Sequence, residues 1–594
     1  MCGICGFNWE DKKILKEMTD IISHRGPDQY DYYTDDLVSF GHRRLSIIDL
    51  SEKGKQPLCN EDGTIWIVYN GEIYNFQDIK LDLEKKGHFF KSNTDTEVII
   101  HAYEEYGIEC VKLFNGMFSF AIWDSLNKKI IFARDRLGVK PLYYYFDKIN
   151  NKLIFASEIK SILSNPLVKK EINLNAFNQI LHYAYIINGE TIFKNINELP
   201  PGKIMIYDFN NLEIKEYWKI DNNVHYGSEN FFAEKLKQLL AESVRKRLVA
   251  DVPLGASLSG GLDSSSIVAF MSRITEKPIE TFTVGFDDES DEFKEAKLVS
   301  EFCKTNHHEK IIPLEEITKN LAKILWHMEV PYAKPAVFAT YFLSKEINRN
   351  KVIIDLSGEG SDEIFGGYNR YGRDKTEKII TSPFVSEEHK KRFFNKSVLT
   401  EVGDNLIPAN NFLPELEKQE KEEHLNVALN FELRKQLPGV QLTRVDKMSM
   451  AHSHEIRVPF LDYEFVEFGM TIPSNLKWKN NNKKYILQKA MEPLLPKEII
   501  NRNKVPFHAP LLKYFQEGFI DVADNILSSS SIFKKEFVNQ DKIKEQIRSI
   551  RNKEITDDKS LRQILFLTNF ELFQRIFIER DKIKSTDLEI NNFL

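Results

Sequence analysis

Cys2 follows the initiator methionine and stands among glycines in MCGICGFNWE, with Cys5 three residues on. The pair has three readings: a metal or redox site, a fragment of a disulfide scaffold, or one N-terminal nucleophile exposed when Met1 is removed. The last has a defined chemistry. A free α-amine with a pKa of about 8 keeps a neutral fraction at pH 7 and takes the thiol proton without help from a histidine. Cys2, Cys5, Cys59, Cys110 and Cys303 are too few and too scattered for a disulfide framework, and no second CxxC or nearby His pair completes a four-ligand zinc set. Cys5 reads as a small buried hydrophobe on the strand face opposite Cys2, and the other three cysteines take the same reading.

An acyl transfer at Cys2 needs two oxyanion donors and a clamp for the substrate's far end. In YNGEIYN a strand ends at Asn70-Gly71, offering one side-chain amide and one backbone N–H. Arg44, in GHRRLSIIDL, suits a carboxylate because its guanidinium binds bidentately, and Glu72 with Asp95, in NTDTEV, suits an ammonium. Each alone is more often a solvated charge than a ligand.

A second set lies in LGASLSGGLDSSS. A strand ends at Leu258, Ser259-Gly260-Gly261 form a loop without side-chain bulk, and Ser264 to Ser266 open a helix. Backbone N–H groups at such a junction bind anions, and paired glycines let a phosphate approach the chain. The loop lacks the lysine of GxxxxGK[ST], so it is not of the Walker type. The plain alternative is a strand–helix turn with serine caps. KVIIDLSGEGSDEIFGGY repeats the pattern, and in a parallel sheet both loops fall at one carboxyl edge. Asp263 and Asp362 are then a candidate Mg²⁺ pair.

SGGLDSS is similar to the pyrophosphatase-type loop of adenylating enzymes. With LSGEGSDEIFGGY and HEIRVPFLD, the chain resembles the glutamine-hydrolysing asparagine synthetases over nearly its whole length. The resemblance implies ATP as cosubstrate with Mg²⁺, adenylation of a carboxylate, and attack of ammonia on the acyl-adenylate. It implies that Leu258, Val284, Ser357 and Gly358 contact AMP, alongside Ser259, Gly260, Gly261 and Ser264 of the loop, and that Asp263 and Asp362 hold Mg²⁺-pyrophosphate. Glu359 matches the acid proposed to deprotonate ammonia or assist intermediate formation; helix capping is its other reading. Lys484, in NKKYILQKA, matches the lysine that neutralises charge on pyrophosphate. Asp446 and Arg457 read equally as a structural ion pair. In the N-terminal half, HRGPD (His24 to Asp28) and RLSIID complete the resemblance to class II glutamine amidotransferases. That resemblance implies that Arg44, Leu45, Ser46, Ile47, Ile48, Asn70, Gly71, Glu72 and Asp95 bind glutamine, and that Cys2 attacks its side-chain amide. The family joins its two sites by an internal tunnel, and its members are often dimers, so a homodimer is expected by analogy.

The match departs at Lys334 and Ala336, where many relatives carry an acidic residue and a hydroxyl. Gln488 replaces a common Arg, and Pro506 a frequent Gly. These segments lie where the acceptor carboxylate is expected. Three functions follow: asparagine synthesis from aspartate; the same chemistry on another carboxylate, such as a uronic acid of a surface polysaccharide or a peptide natural product; or a non-catalytic binding module. The intact set of catalytic groups disfavours the last.

The elements that must position these residues divide into two patterns. TIWIVYN, MFSFAIW, KIIFA, PLYYYF and NKLIFAS read as strands and DTEVIIHAYEEYG as a helix, so residues 2–205 are expected to form an α+β glutaminase domain, which the resemblance makes Ntn-hydrolase-like with four αββα layers. Residues 206–228 read as a linker. From 229 to 594, strand-like and helical segments alternate after an amphipathic helix bearing Phe232, Leu236, Leu240, Val244 and Leu248, which predicts an α/β domain with a parallel sheet, HUP-like by the resemblance. The stretch from about 372 to 425 reads as exposed helices and loops. The 594 residues carry 81 Lys+Arg against 88 Asp+Glu, a net charge of -7. That balance argues against a whole-protein preference for nucleic acid or anionic membrane. Without an apolar run of roughly 18 residues or a signal pattern, a cytoplasmic enzyme acting on small molecules is expected.

Overall fold

A computed structural model describes all residues except 184, 188, 222, 369–370, 372–423, 503–508, 529–538, 581–586 and 594. Pro506 and nearly all of the 372–425 stretch lie outside the described residues.

The N-terminal strands are β1 (Gly3–Phe7), β2 (Gln29–Thr34), β3 (Ser39–Arg44), β4 (Leu58–Cys59), β5 (Ile65–Ile73), β6 (Gly116–Asp124), β7 (Lys129–Arg134), β8 (Tyr143–Asp147), β9 (Lys152–Ala156), β10 (Ile196–Glu198), β11 (Lys203–Tyr207) and β12 (Leu212–Glu216). They form two antiparallel sheets, ordered β10-β8-β9-β1-β3-β2 and β12-β11-β7-β6-β5-β4. Alternation along the strands explains the layering. Ile4, Phe40, Val68, Ala121, Phe132 and Phe155 meet between the sheets. Cys5 and Phe7 turn the other way, onto Leu15 and Met18 of the helix Lys12–Asp20. Likewise Phe118, Phe120 and Ile122 turn onto the helices Phe76–Lys85 and Asp95–Tyr106. Successive strand side chains face opposite ways, so one strand serves two cores. This is the expected αββα arrangement.

The boundary expected at residue 205 falls inside β11, and β12, expected as linker, pairs with β11 from Lys203↔Glu216 to Tyr207↔Leu212. The period-2 pattern of LEIKE is hidden because β12 is an edge strand and mostly exposed.

The amphipathic helix Glu229–Lys246 is capped by Ser228, whose side chain accepts from the Phe231 N–H at 3.2 Å. Phe232, Leu236, Leu240 and Val244 are fully buried, whereas Leu248 lies past the helix end and is partly buried. Strands β13 (Leu254–Ser257), β14 (Glu280–Gly285), β15 (Asn306–Ile311), β16 (Ile354–Leu356) and β17 (Glu455–Arg457) form a sheet ordered β15-β14-β13-β16-β17, parallel throughout. β13 is flanked by β14 on one side and β16 on the other. The strand order reverses there, and the loops leaving β13 and β16 open side by side. No helix among the described residues is long and apolar enough to cross a membrane.

Candidate active sites

Cys2 immediately precedes β1 and is buried among the two sheets and the loop after β3. Its N–H donates to Asn70 Oδ1 at 3.1 Å, and its Sγ lies 3.9 Å from the Leu45 carbonyl. Burial pushes the thiol pKa up, while the neighbouring amino terminus pulls it down. Asn70 sits on β5 with no exposure, and its Nδ2 has no hydrogen-bond partner among the described residues. An orphaned buried amide beside a thiol is the donor an oxyanion needs. Gly71 is required for a packing reason: a Cβ there would stand 2.2 Å from the Met117 carbonyl oxygen.

Arg44, at the end of β3, is 4 % exposed, and its guanidinium is already engaged. Its Nη1 donates to Gln29 Oε1 at 2.7 Å and the Ser51 carbonyl at 2.9 Å, and its Nη2 to the carbonyls of Ile48 at 3.1 Å and Asp49 at 2.6 Å. In this arrangement the expected bidentate face braces its own loop. Leu45 and Ile47 are buried in that loop, Ile48 is half-buried, and the Ser46 N–H donates to Asp28 Oδ2 at 2.7 Å.

Asp95 opens the helix Asp95–Tyr106, one residue after its cap Thr94. It accepts from Tyr69 Oη at 2.6 Å and from the Ile73 N–H at 2.9 Å, and burial pushes its carboxyl up to about 6 against those hydrogen bonds. Glu72 is raised well above the carboxylate range, chiefly by burial and then by Asp95, and its nearest cation, Arg457 at 3.5 Å, comes from β17. Met1 is present, and its amine lies 3.5 Å from Glu455 Oε2, also on β17. Cys5 is separate from all of this: its Sγ is 3.2 Å from Thr19 Oγ1, and burial pushes the thiol up to about 11. It is a packing residue, as expected.

The second site fills a cavity of about 490 Å³ at the edge where the β13 and β16 loops meet. Leu258, Ser259, Gly261, Asp263, Ser264, Val284, Ser357, Gly358, Glu359, Asp362 and Lys484, all expected here, line it. Gly260 does not. Its φ is +68°, and a Cβ there would lie 2.4 Å from the Glu295 backbone carbon, so it serves the turn instead. The following helix runs Leu262–Ile274 with Gly261 at its cap, two residues earlier than the serines suggest. Ser264 Oγ instead accepts from the Ser259 N–H at 3.2 Å and braces the loop.

Lys484 Nζ stands 2.6 Å from Asp263 Oδ2 and 2.6 Å from Asp362 Oδ1. Burial opposes the lysine's charge, but the two carboxylates hold its pKa above the ordinary value. Ser361 Oγ donates to Asp263 Oδ1 at 2.7 Å. Two hard oxygen donors converging on one cation fit Mg²⁺, with the ammonium standing where positive charge is wanted. Glu359 pairs with Arg444 at 2.7 Å. Gln488 lines the same cavity, while Lys334 lines a neighbouring cavity of about 110 Å³ that shares Arg444.

Asp446 and Arg457 do not pair with each other. Asp446 binds the Arg25 guanidinium at 2.8 and 3.2 Å, and Arg457 Nε donates to Glu455 at 2.7 Å. Arg25, Ser361 and Arg444 escaped the sequence reading as site residues. Arg25 is fully buried and its Nε donates to the Cys2 carbonyl at 3.0 Å, so the helix Thr443–Met450 reaches Cys2 through Asp446 and Arg25, and Glu359 through Arg444. HRGPD carried the only signal for Arg25. Nothing local marks Arg444.

A buried N-terminal thiol beside an orphaned amide, sharing a chain with paired phosphate-type loops, defines a two-site amidotransferase of the ligase kind. The family models agree in extent: residues 1–218 match the glutamine amidotransferase domain and residues 235–575 match asparagine synthase. The chain belongs to the asparagine synthase family. It is 34 % identical to asparagine synthetase [glutamine-hydrolyzing] 1 of Bacillus subtilis, over 89 % of this chain and 90 % of that protein. It is 38 % identical to the putative asparagine synthetase [glutamine-hydrolyzing] 2 of Methanocaldococcus jannaschii, over 64 % of this chain and 78 % of that protein. Amidase chry2 of Gibberella zeae is 27 % identical over 98 % of this chain and 99 % of its own.

Proposed function

We propose that the protein is a glutamine-dependent asparagine synthetase, hydrolysing glutamine to glutamate and ammonia, converting aspartate with ATP to β-aspartyl-AMP and pyrophosphate, and amidating that intermediate to asparagine. The glutaminase domain runs past residue 205 to the end of β12 at Glu216, and the synthetase domain begins with the helix at Glu229. We place the enzyme in the cytoplasm and, by analogy, in a homodimer. The observation that carries the reading is the meeting of Asp263, Asp362 and Lys484 in the lining of the cavity, in a chain whose Cys2 lies against Asn70.

Removal of Met1 makes the Cys2 nitrogen a free amine. It takes the thiol proton as Sγ attacks the glutamine amide carbon, and the negative charge passes to the carbonyl oxygen, held by Asn70 Nδ2 and the Gly71 N–H. Collapse passes that proton from the ammonium to the amide nitrogen, which leaves as ammonia, and water then releases glutamate from the thioester. Asp95 and Glu72 receive the α-ammonium. Arg44 receives the α-carboxylate once its donors turn from the loop carbonyls. At the second site Leu258 and Val284 wall the adenine side, Gly358, Ser259 and Gly261 face the phosphates, and Lys484 neutralises charge on the departing pyrophosphate. Mg²⁺ held by Asp263 and Asp362 would supply further charge neutralisation there. Glu359, aligned by Arg444, accepts the proton of the attacking ammonia.

Incubation with ATP, glutamine and aspartate should yield asparagine and AMP in equal amounts. Glutamate release with no asparagine would reject aspartate and favour another carboxylate, the second reading that Lys334, Ala336 and Gln488 keep open. Asn70→Ala is expected to lower glutaminase kcat about 10²–10³-fold with little change in KM, the usual cost of an oxyanion donor. Because Asp95 gains its charge as pH rises through about 6, KM for glutamine should fall across that range, and Asp95→Asn should flatten the profile. A KM independent of pH between 5 and 7 in the unmodified enzyme would remove Asp95 from the ammonium site.

A further inference from the structure

His88 lies three residues past the helix Phe76–Lys85, and His101 and Glu104 lie one turn apart on the helix Asp95–Tyr106. None takes part in the chemistry above. One ligand atom from each of the three lies within 4.8 Å of the others. His101 Nδ1 is 2.7 Å from Glu104 Oε2, and His88 Nδ1 is 3.6 Å from that same oxygen. The i, i+3 spacing puts the two helical ligands on one face.

Two imidazoles and a carboxylate are the protein donors of an open tetrahedral zinc site. With bonds of about 2.0–2.1 Å, ligand atoms around such an ion stand roughly 3.4 Å apart. The two separations above, 2.7 and 3.6 Å, fall on either side of that value.

The groups behind the ligands are arranged in the same sense. His101 is 1 % exposed, and its other nitrogen, Nε2, faces Glu61 Oε1 at 3.7 Å and Glu97 Oε1 at 3.8 Å. A carboxylate behind a histidine orients the ring and raises its basicity toward a metal. Glu104 Oε1 accepts from Asn60 Nδ2 at 2.8 Å, which leaves Oε2 for the cluster. His88 Nε2 has Glu105 Oε2 at 3.4 Å. Phe90 covers His101 edge-on, with ring centroids 4.7 Å apart.

We propose that His88, His101 and Glu104 form a zinc-type divalent-cation site that ties the turn at residue 88 to the helix carrying Asp95. The fourth position falls to water. The competing account is an ion-pair cluster in which protons, not a metal, balance the carboxylates.

Tag-free, chelator-stripped full-length protein titrated with Co²⁺ distinguishes the two. Expected is a visible absorption band of tetrahedral Co²⁺ that saturates at one equivalent and is displaced by Zn²⁺. His88→Ala and Glu104→Gln should each weaken Co²⁺ binding by about tenfold or more while ammonia-supported synthesis stays unchanged. His88 is chosen because it is half-buried, so its removal spares the core; unchanged activity certifies the fold. No band in the unsubstituted protein, or equal affinity in folded His88→Ala, overturns the site.

Discussion

Cys2→Ala is expected to lower glutamine-dependent amidation about 10³-fold or more while ammonia supplied directly still supports the reaction at near its original rate. The magnitude follows from removing a nucleophile for which no neighbour can substitute. Cys5 is the nearest other thiol in sequence, but it faces the opposite side of β1, against Thr19, with its pKa pushed up to about 11. Alanine fits the space left by Sγ, and Asn70 still accepts from the residue 2 nitrogen. Measuring glutaminase, ammonia-dependent and glutamine-dependent rates on one preparation separates the outcomes. Loss of all three would refute the division of labour between two sites. Mass spectrometry of the active protein adds an independent check, because an intact Met1 leaves the Cys2 nitrogen an amide that cannot serve as base.

The second large effect is at Asp263. Asp263→Ala should reduce ATP–pyrophosphate exchange about 10²–10³-fold and leave glutaminase turnover unchanged. The substitution removes one of two carboxylates on Lys484 and the acceptor of Ser361 Oγ, so the cationic group loses its position as well as its partner. Asp263→Asn retains the shape and an acceptor for Ser361 but not the charge. If charge is what matters, it should fall nearly as far as the alanine variant, whereas recovery of exchange in Asn would make Asp263 a spacer. Unchanged exchange in both removes it from the metal assignment.

Much of the fold was legible because its signals are local. Short apolar and aromatic runs broken by Gly, Asp and Asn marked β5, β6, β7, β8 and β9, and the apolar repeat from Phe232 to Val244 marked the helix Glu229–Lys246. The pattern failed at β12, where an exposed edge strand carries no apolar face, and at Gly260, whose backbone is set by a helix over thirty residues away. Arg44 was read as a clamp for a substrate carboxylate, whereas the fold gives its guanidinium the carbonyls of its own loop.

By itself the sequence determined the chemical inventory: a thiol at residue 2, an Asn-Gly step that lies inside β5 rather than at the strand end expected for it, and two glycine-serine-acid loops after apolar strands. Those are properties of short segments, set by backbone geometry and donor type. The tertiary structure alone decided the pairings. Lys484 meets Asp263 across 221 residues, Arg444 meets Glu359 across 85, and Arg25 meets Asp446 across 421. Lys484, Arg25 and Asp446 are buried charges, stable only when the other half arrives with them, while Arg444 and Glu359 pair half-buried, and no local propensity encodes either arrival. The order of strands does so, by putting β13 between β14 and β16 and bringing β17 against the N-terminal domain through Arg457 and Glu72.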